Sequence, residues 1–150
     1  SYFVSSGSND VLDGYGGQDC VILDDLRPSC LNLSDLLKML DNNTSSTVKS
    51  RFKNKAIQCR AIIITTTLDI DTFFKNVFSE QPETAKQLRR RCTMLVKMYP
   101  ETAEMYDYIP PLEEYKKAVL PISYQKNGSF SIFDYAISSG SRWCSFSHRT

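Results

Sequence analysis

The chain has 150 residues, 41% of them hydrophobic, and a net charge of +1, which suits one domain with a core, or a domain plus a tail. It contains no run of about 18 apolar residues, so no membrane-spanning helix is expected. With His148 as its one histidine, it has almost nothing from which to build a histidine-dependent triad, a zinc hydrolase or a His-pair nuclease.

The five cysteines are Cys20, Cys30, Cys59, Cys92 and Cys144, an odd number with no metal-ligand spacing. Three lie in or beside apolar runs, as small core residues do in a reducing cytoplasm, so a cytoplasmic location is expected. Asn42, Asn43 and Asn127 begin glycosylation-like triplets, but nothing else in the chain points to secretion. Charge is unevenly distributed. Residues 1–41 carry seven acids and two bases, net −5; residues 42–100 carry eleven bases and four acids, net +7; residues 101–150 are net −1. An acidic region followed by a basic one suits a divalent ion and then a polyanion.

Tyr2-Phe-Val4 reads as a short strand. The chain starts there without Met, so a piece of a longer protein is expected. Asn9 to Gln18 reads as a flexible loop. Its glycines, Gly14, Gly16 and Gly17, do not form a phosphate-binding loop, since no Gly-Lys-Ser/Thr follows. Cys20 to Leu23 is a continuous apolar run that suits a strand buried on both faces, and it ends in Asp24-Asp25. Open α/β sheets bind ligands at such strand ends, and Mg²⁺ takes one or two carboxylates while keeping water and phosphate oxygens. A pair of solvated acids, or a helix cap, is the plainer alternative.

Leu33, Leu36, Leu37 and Leu40 fall on one helical face, with Asn32 or Ser34 as cap. Thr47 to Arg60 is basic, with Lys49, Arg51, Lys53, Lys55 and Arg60 around Phe52, and Asn54 near its middle allows a β-hairpin. Ala61-Ile-Ile-Ile64 predicts a second buried strand, ending in Thr65-Thr-Thr67. Ile70, Phe73, Phe74, Val77 and Phe78 repeat at helical spacing. Pro82 suits the first turn of another helix running into Leu88-Arg-Arg-Arg91. Thr93 to Val96 predicts a third buried strand. Four prolines then divide the chain, with a helix expected over Leu112–Leu120 and a strand over Phe130–Tyr135. Residues 136–150, His148 included, are Ser-rich and read as peripheral.

The order of these elements resembles a superfamily 3 helicase domain of the AAA+ type, found in initiators of plasmids and single-stranded DNA viruses. Val21-Ile-Leu-Asp-Asp-Leu-Arg-Pro28 is similar to the Walker B segment of rolling-circle plasmid initiators. Thr47 to Lys55 is similar to the DNA-contacting hairpin, Ala61 to Thr67 to the motif C strand, and Gln87 to Cys92 to the arginine segment at the subunit interface. Motif C usually ends in Asn, where this chain has Thr67, and no Gly-x-x-x-x-Gly-Lys-Ser/Thr occurs.

The resemblance implies an α/β fold with a mostly parallel sheet flanked by helices, missing its first (Walker A) strand and helix. In that class the loop-bearing strand lies between the motif C strand and the last strand. It implies a partial ATPase domain over residues 1–98 and an extension of uncertain structure over 99–150. The implied cofactors are ATP and Mg²⁺. Asp24 would hold the metal through water. Asp25 would act on the attacking water, helped by Thr67 with Thr66 beside it. Arg90 or Arg91 would reach a neighbouring subunit in a hexameric ring. Lys49, Arg51, Phe52, Lys53 and Lys55 would bind single-stranded DNA at a replication origin. Two rival readings are a non-catalytic nucleic-acid-binding module and a phosphate-accepting signalling domain that uses Lys97.

Overall fold

The computed structural model describes residues 1–5, 10–27, 30, 33–41, 47–49, 54–77, 82–99, 102–118, 122–123 and 143–149. Apolar runs become strands β1 (Tyr2–Ser5), β2 (Cys20–Leu23), β5 (Ala61–Thr66) and β6 (Met94–Met98). The basic stretch forms a two-stranded antiparallel ribbon, β3 (Thr47–Lys49) with β4 (Asn54–Ala56). Three helices follow their periodicity: α1 (Leu33–Met39), α2 (Ile70–Val77) and α3 (Pro82–Arg91). Asp69 caps α2, its Oδ1 accepting the N–H groups of Asp71 at 3.1 Å and Thr72 at 3.0 Å.

Beyond β6 come β7 (Thr102–Ile109), β8 (Glu114–Lys117), β9 (Ile122–Ser123) and β10 (Trp143–Arg149). Among the described residues the main sheet runs β1-β2-β5-β10-β6-β7-β8, with β9 paired to β7. The pairs from β1 through β6 are parallel, and β6-β7, β7-β8 and β7-β9 are antiparallel. The fold is thus α/β with a mixed sheet.

Several expectations change. The place between β5 and β6 is not empty, because β10 lies there, paired in parallel with both. Two flanking strands present unpaired N–H and C=O groups, which an extended segment satisfies on both sides at once. His148 is accordingly not in a peripheral tail: it sits in register with Thr66 and with Lys97. The helix expected over Leu112–Leu120 is instead a turn leading into β8, with Glu113 in the left-handed region at φ 55°. The strand expected over Phe130–Tyr135 lies outside the described residues.

The core sits on one face of the sheet. Val21 and Leu23 of β2, Ile62 and Ile64 of β5 and Leu95 of β6 meet Leu36, Met39 and Leu40 from α1 and its C-terminal end, Phe73 of α2 and Leu88 of α3. The glycine-bearing loop is a packed cover, not a loose connection. Val11, Leu12 and Tyr15 are buried, and the Tyr15 hydroxyl accepts the N–H of Gln58 at 3.3 Å. Gly14 takes φ 83° there, with Phe3 so close that an added Cβ would touch it at 3.5 Å. The other face carries a smaller cluster, Met94, Val96, Ala103 and Met105, on β6 and β7. Nearer β1 that face is less covered than the apolar runs suggest: Ile22 and Ile63 are half-buried, and Val4 is 45% exposed. Burial pushes the Cys20 thiol up to about 11, so it stays protonated. The described cysteines Cys20, Cys30, Cys59 and Cys92 are free thiols.

The antiparallel strands are held partly by a polar network around Glu104. Its carboxylate takes Lys117 Nζ at 2.5 Å, the Tyr106 hydroxyl at 2.8 Å and the Tyr99 hydroxyl at 3.3 Å. Hydrogen bonds from Lys117 and Tyr106 hold the Glu104 carboxyl below its ordinary value of 4.5. A depressed folded value means this stabilisation is complete above about pH 4.5 and is lost as the pH falls through the lower, folded value. Thermal unfolding between pH 6 and pH 3 should therefore show a smaller loss of Tm in Glu104→Gln than in the unchanged chain; equal losses would remove Glu104 from the acid response.

Candidate functional site

The parallel register brings the ends of β2 and β5 together. Leu23 pairs with Ile64, so the next residues along, Asp24 and Thr65, stand side by side. The Thr65 hydroxyl donates to Asp24 Oδ1 at 2.6 Å, a short, charge-assisted bond. The same hydroxyl accepts the N–H of Asp25 at 2.9 Å. The Thr65 carbonyl accepts the N–H of Leu26 at 3.0 Å. One threonine thus grips three successive residues of the neighbouring strand end.

That grip holds a bend. Asp25 has φ 47°, in the left-handed region where an L side chain is strained and Asp is among the better tolerated. Both acids are exposed. Arg27 contacts Asp25 through Oδ2 alone, with Nη2 at 3.1 Å and Nε at 3.4 Å. Both partners are largely solvent-facing, 72% and 52% exposed, so the ion pair contributes at most about 1 kcal/mol. Among the described residues, one oxygen of each carboxylate, Asp24 Oδ2 and Asp25 Oδ1, is left open.

No group of three or more His, Cys, Asp or Glu side chains is close enough among the described residues to cage a metal. Two exposed acids with free oxygens suit a hard, mostly hydrated cation such as Mg²⁺ and do not suit zinc.

The other expected site residues fall elsewhere. Thr66 is buried on the opposite face, its hydroxyl accepting the N–H of Leu68 at 3.2 Å. Thr67 is exposed, one residue past the end of β5. Arg90 is exposed and Arg91 half-buried, with Nη1 donating to the Gln87 carbonyl at 3.0 Å. Their neighbour Arg89 is paired with Asp71. Tyr115 ties the end of α3 to the sheet by donating to the Cys92 carbonyl at 2.7 Å.

These arginines precede β6, while the acids follow β2, and those strands run the same way. The two groups therefore lie toward opposite ends of the parallel strands, the acids level with Val96 of β6 and the arginines before its first residue, Met94. The ribbon also joins the sheet at the edge away from the acids, through buried Ile57 and Cys59 leading into β5. Lys49 pairs with Asn54, and Lys55 with Val48; Arg51, Phe52 and Lys53 lie outside the described residues. Lys97 does not approach the acids. Its Nζ sits 5.1 Å from the Tyr106 ring centroid, three strands from β2, which removes the phosphate-accepting reading.

Sequence reasoning missed Thr65 and Arg27. The signal for Thr65 was present: aligning the ends of the two apolar runs puts the first polar residue after each, Asp24 and Thr65, next to one another.

The backbone at Asp25 can be tested by itself. Asp25→Val should destabilise the chain by about 1–2 kcal/mol, because a β-branched residue is poorly accommodated at positive φ, whereas Asp25→Gly should stay within about 0.5 kcal/mol. Urea unfolding measures both; equal losses would show that backbone conformation is not what the position selects.

No family model matches the chain. It is similar to a curated protein named "Replication protein" from Onion yellows phytoplasma (strain OY-M), 59% identical over 96 residues. The match covers 64% of this chain and 25% of that protein, so the chain spans about a quarter of its relative's length. No described helix is long and apolar enough to cross a membrane.

Proposed function

We propose that this chain is part of an ATP-driven, superfamily 3 (AAA+) helicase domain of a DNA replication initiator, translocating on single-stranded DNA. The observation that carries the reading is the exposed acid pair at the carboxyl ends of parallel strands, bent and held by Thr65. Open α/β sheets bind ligands at this kind of edge. The likeness to a replication protein supports a role in DNA replication.

When bound, Mg²⁺ would neutralise charge on the ATP phosphates. Asp24 would hold the metal's hydration shell through Oδ2, since Oδ1 is taken by Thr65. Asp25 would orient or deprotonate the attacking water through Oδ1, the oxygen that Arg27 leaves open. Thr67, exposed just past β5, would hydrogen-bond the water or the γ-phosphate. Thr66 would support the turn through Leu68 without touching phosphate. Arg90 and Arg91, at the opposite edge from their own acids, would act on the ATP of a neighbouring subunit in a hexameric ring. Lys49, Arg51, Lys53 and Lys55 would follow the DNA backbone, with Phe52 stacking on a base.

In the full-length protein, Asp25→Asn is expected to lower ATP turnover by about 10²-fold or more while leaving ATP binding intact. Turnover near that of the unchanged protein would leave the rival reading, a non-catalytic nucleic-acid-binding module. Removing charge at Lys49, Arg51 and Lys53 is expected to weaken single-strand binding and to flatten the salt dependence by about 2 in log–log slope, at about 0.7 for each phosphate no longer neutralised. An unchanged slope would make the ribbon a solvated surface.

A further inference from the structure

The geometry points to Thr65, which no motif assigns, as the positioning residue that sets both carboxylates of the site. This rests on the ATPase reading above and adds a residue and a role to it.

Thr65 meets the acids with both kinds of hydrogen bond its hydroxyl can make. A hydroxyl has one proton to give and two lone pairs to offer. Here the proton goes to Asp24 Oδ1 at 2.6 Å, and a lone pair takes the Asp25 N–H at 2.9 Å. The first bond fixes which oxygen of Asp24 faces outward. The second holds the peptide whose φ is 47°, and so sets where the Asp25 carboxylate leaves the chain. The Leu26 N–H on the Thr65 carbonyl, at 3.0 Å, closes the bend from its far side.

Thr66 and Thr67 are placed differently. Thr66 is directed to the core face and Thr67 lies past the strand end, whereas Thr65 is hydrogen-bonded to both acids. Its β5 position is itself held between β2 and β10, which makes it a rigid reference for the exposed pair. A carboxylate displaced by an ångström from its water loses about 10²-fold in rate.

The test compares Thr65→Val, which keeps the shape and removes the hydroxyl, with Thr65→Ser, which keeps the hydroxyl, and with Asp25→Asn, all in the full-length protein. Expected for Thr65→Val is a fall in kcat of about 10²-fold with KM for ATP within about twofold, because binding rests on phosphate contacts and the rate on carboxylate placement. Thr65→Ser should restore kcat to within about threefold. Thr65→Val with unchanged kcat, alongside an inactive Asp25→Asn, overturns the role of Thr65 and leaves the ATPase reading standing. Unchanged turnover in Asp25→Asn overturns both. Should Thr65→Val fail to fold, Thr65→Ala is read beside Thr65→Ser: a folded alanine variant with kcat lowered about 10²-fold beside an active serine variant supports the hydroxyl's role, and a folded alanine variant with unchanged kcat, or a folded but inactive serine variant, overturns it.

Discussion

The exposed acid pair depends on a hydrogen-bonded junction between two strand ends. Carboxylates at a sheet rim repel each other and are free to turn into solvent, so adjacency alone gives no defined geometry. The Thr65 hydroxyl changes that by joining β5 to the Asp24 side chain and to the Asp25 backbone. The junction exists because the strands are in parallel register, Leu23 beside Ile64, and that register is set by burial of Val21, Leu23, Ile62 and Ile64 on one face. A slip of one residue would send those side chains to the less covered face and separate the threonine from the acid. Core packing and site geometry are thus one constraint.

The parallel sheet also separates charge. Asp24 and Asp25 sit where strands end, and Arg89 to Arg91 sit where β6 begins, behind a helix whose last turn favours cations. The ribbon of Lys49 and Lys55 joins at that second edge as well. The net charges of −5 over residues 1–41 and +7 over residues 42–100 are the sequence-level trace of this division.

Much of the parallel half was legible from the residues. Cys20–Leu23, Ala61–Thr66 and Met94–Met98 are short apolar runs bounded by polar residues, and each is a strand. The leucine and phenylalanine stripes marked α1 and α2, because a helix is encoded in its own periodicity. Legibility failed where pairing depended on distant partners. Glu114–Lys117 carries little local β preference but continues the antiparallel ladder from β7, with Tyr106 opposite Lys117 and Tyr108 opposite Tyr115. The three threonines at the end of β5 could not be ranked by residue type; pairing with β2 decided that Thr65 meets Asp24, while alternation turned Thr66 to the other face. Arg51, Phe52 and Lys53 stay with their sequence reading, since they lie outside the described residues.

The strand Trp143–Arg149 shows the same logic at its strongest. Its serines made it read as a tail, yet it lies between β5 and β6, two strongly apolar strands of the sheet. Each of those strands would otherwise present a bare edge near the centre of the molecule, where unsatisfied N–H and C=O groups are costly. Any extended segment that can run parallel to both relieves that cost, whatever its side chains, so the demand comes from the neighbours and not from the strand itself. By the same reasoning the place is not selective. A more apolar strand offered from elsewhere in a longer protein would satisfy the same backbone groups and bury more surface, and would compete with β10 for it.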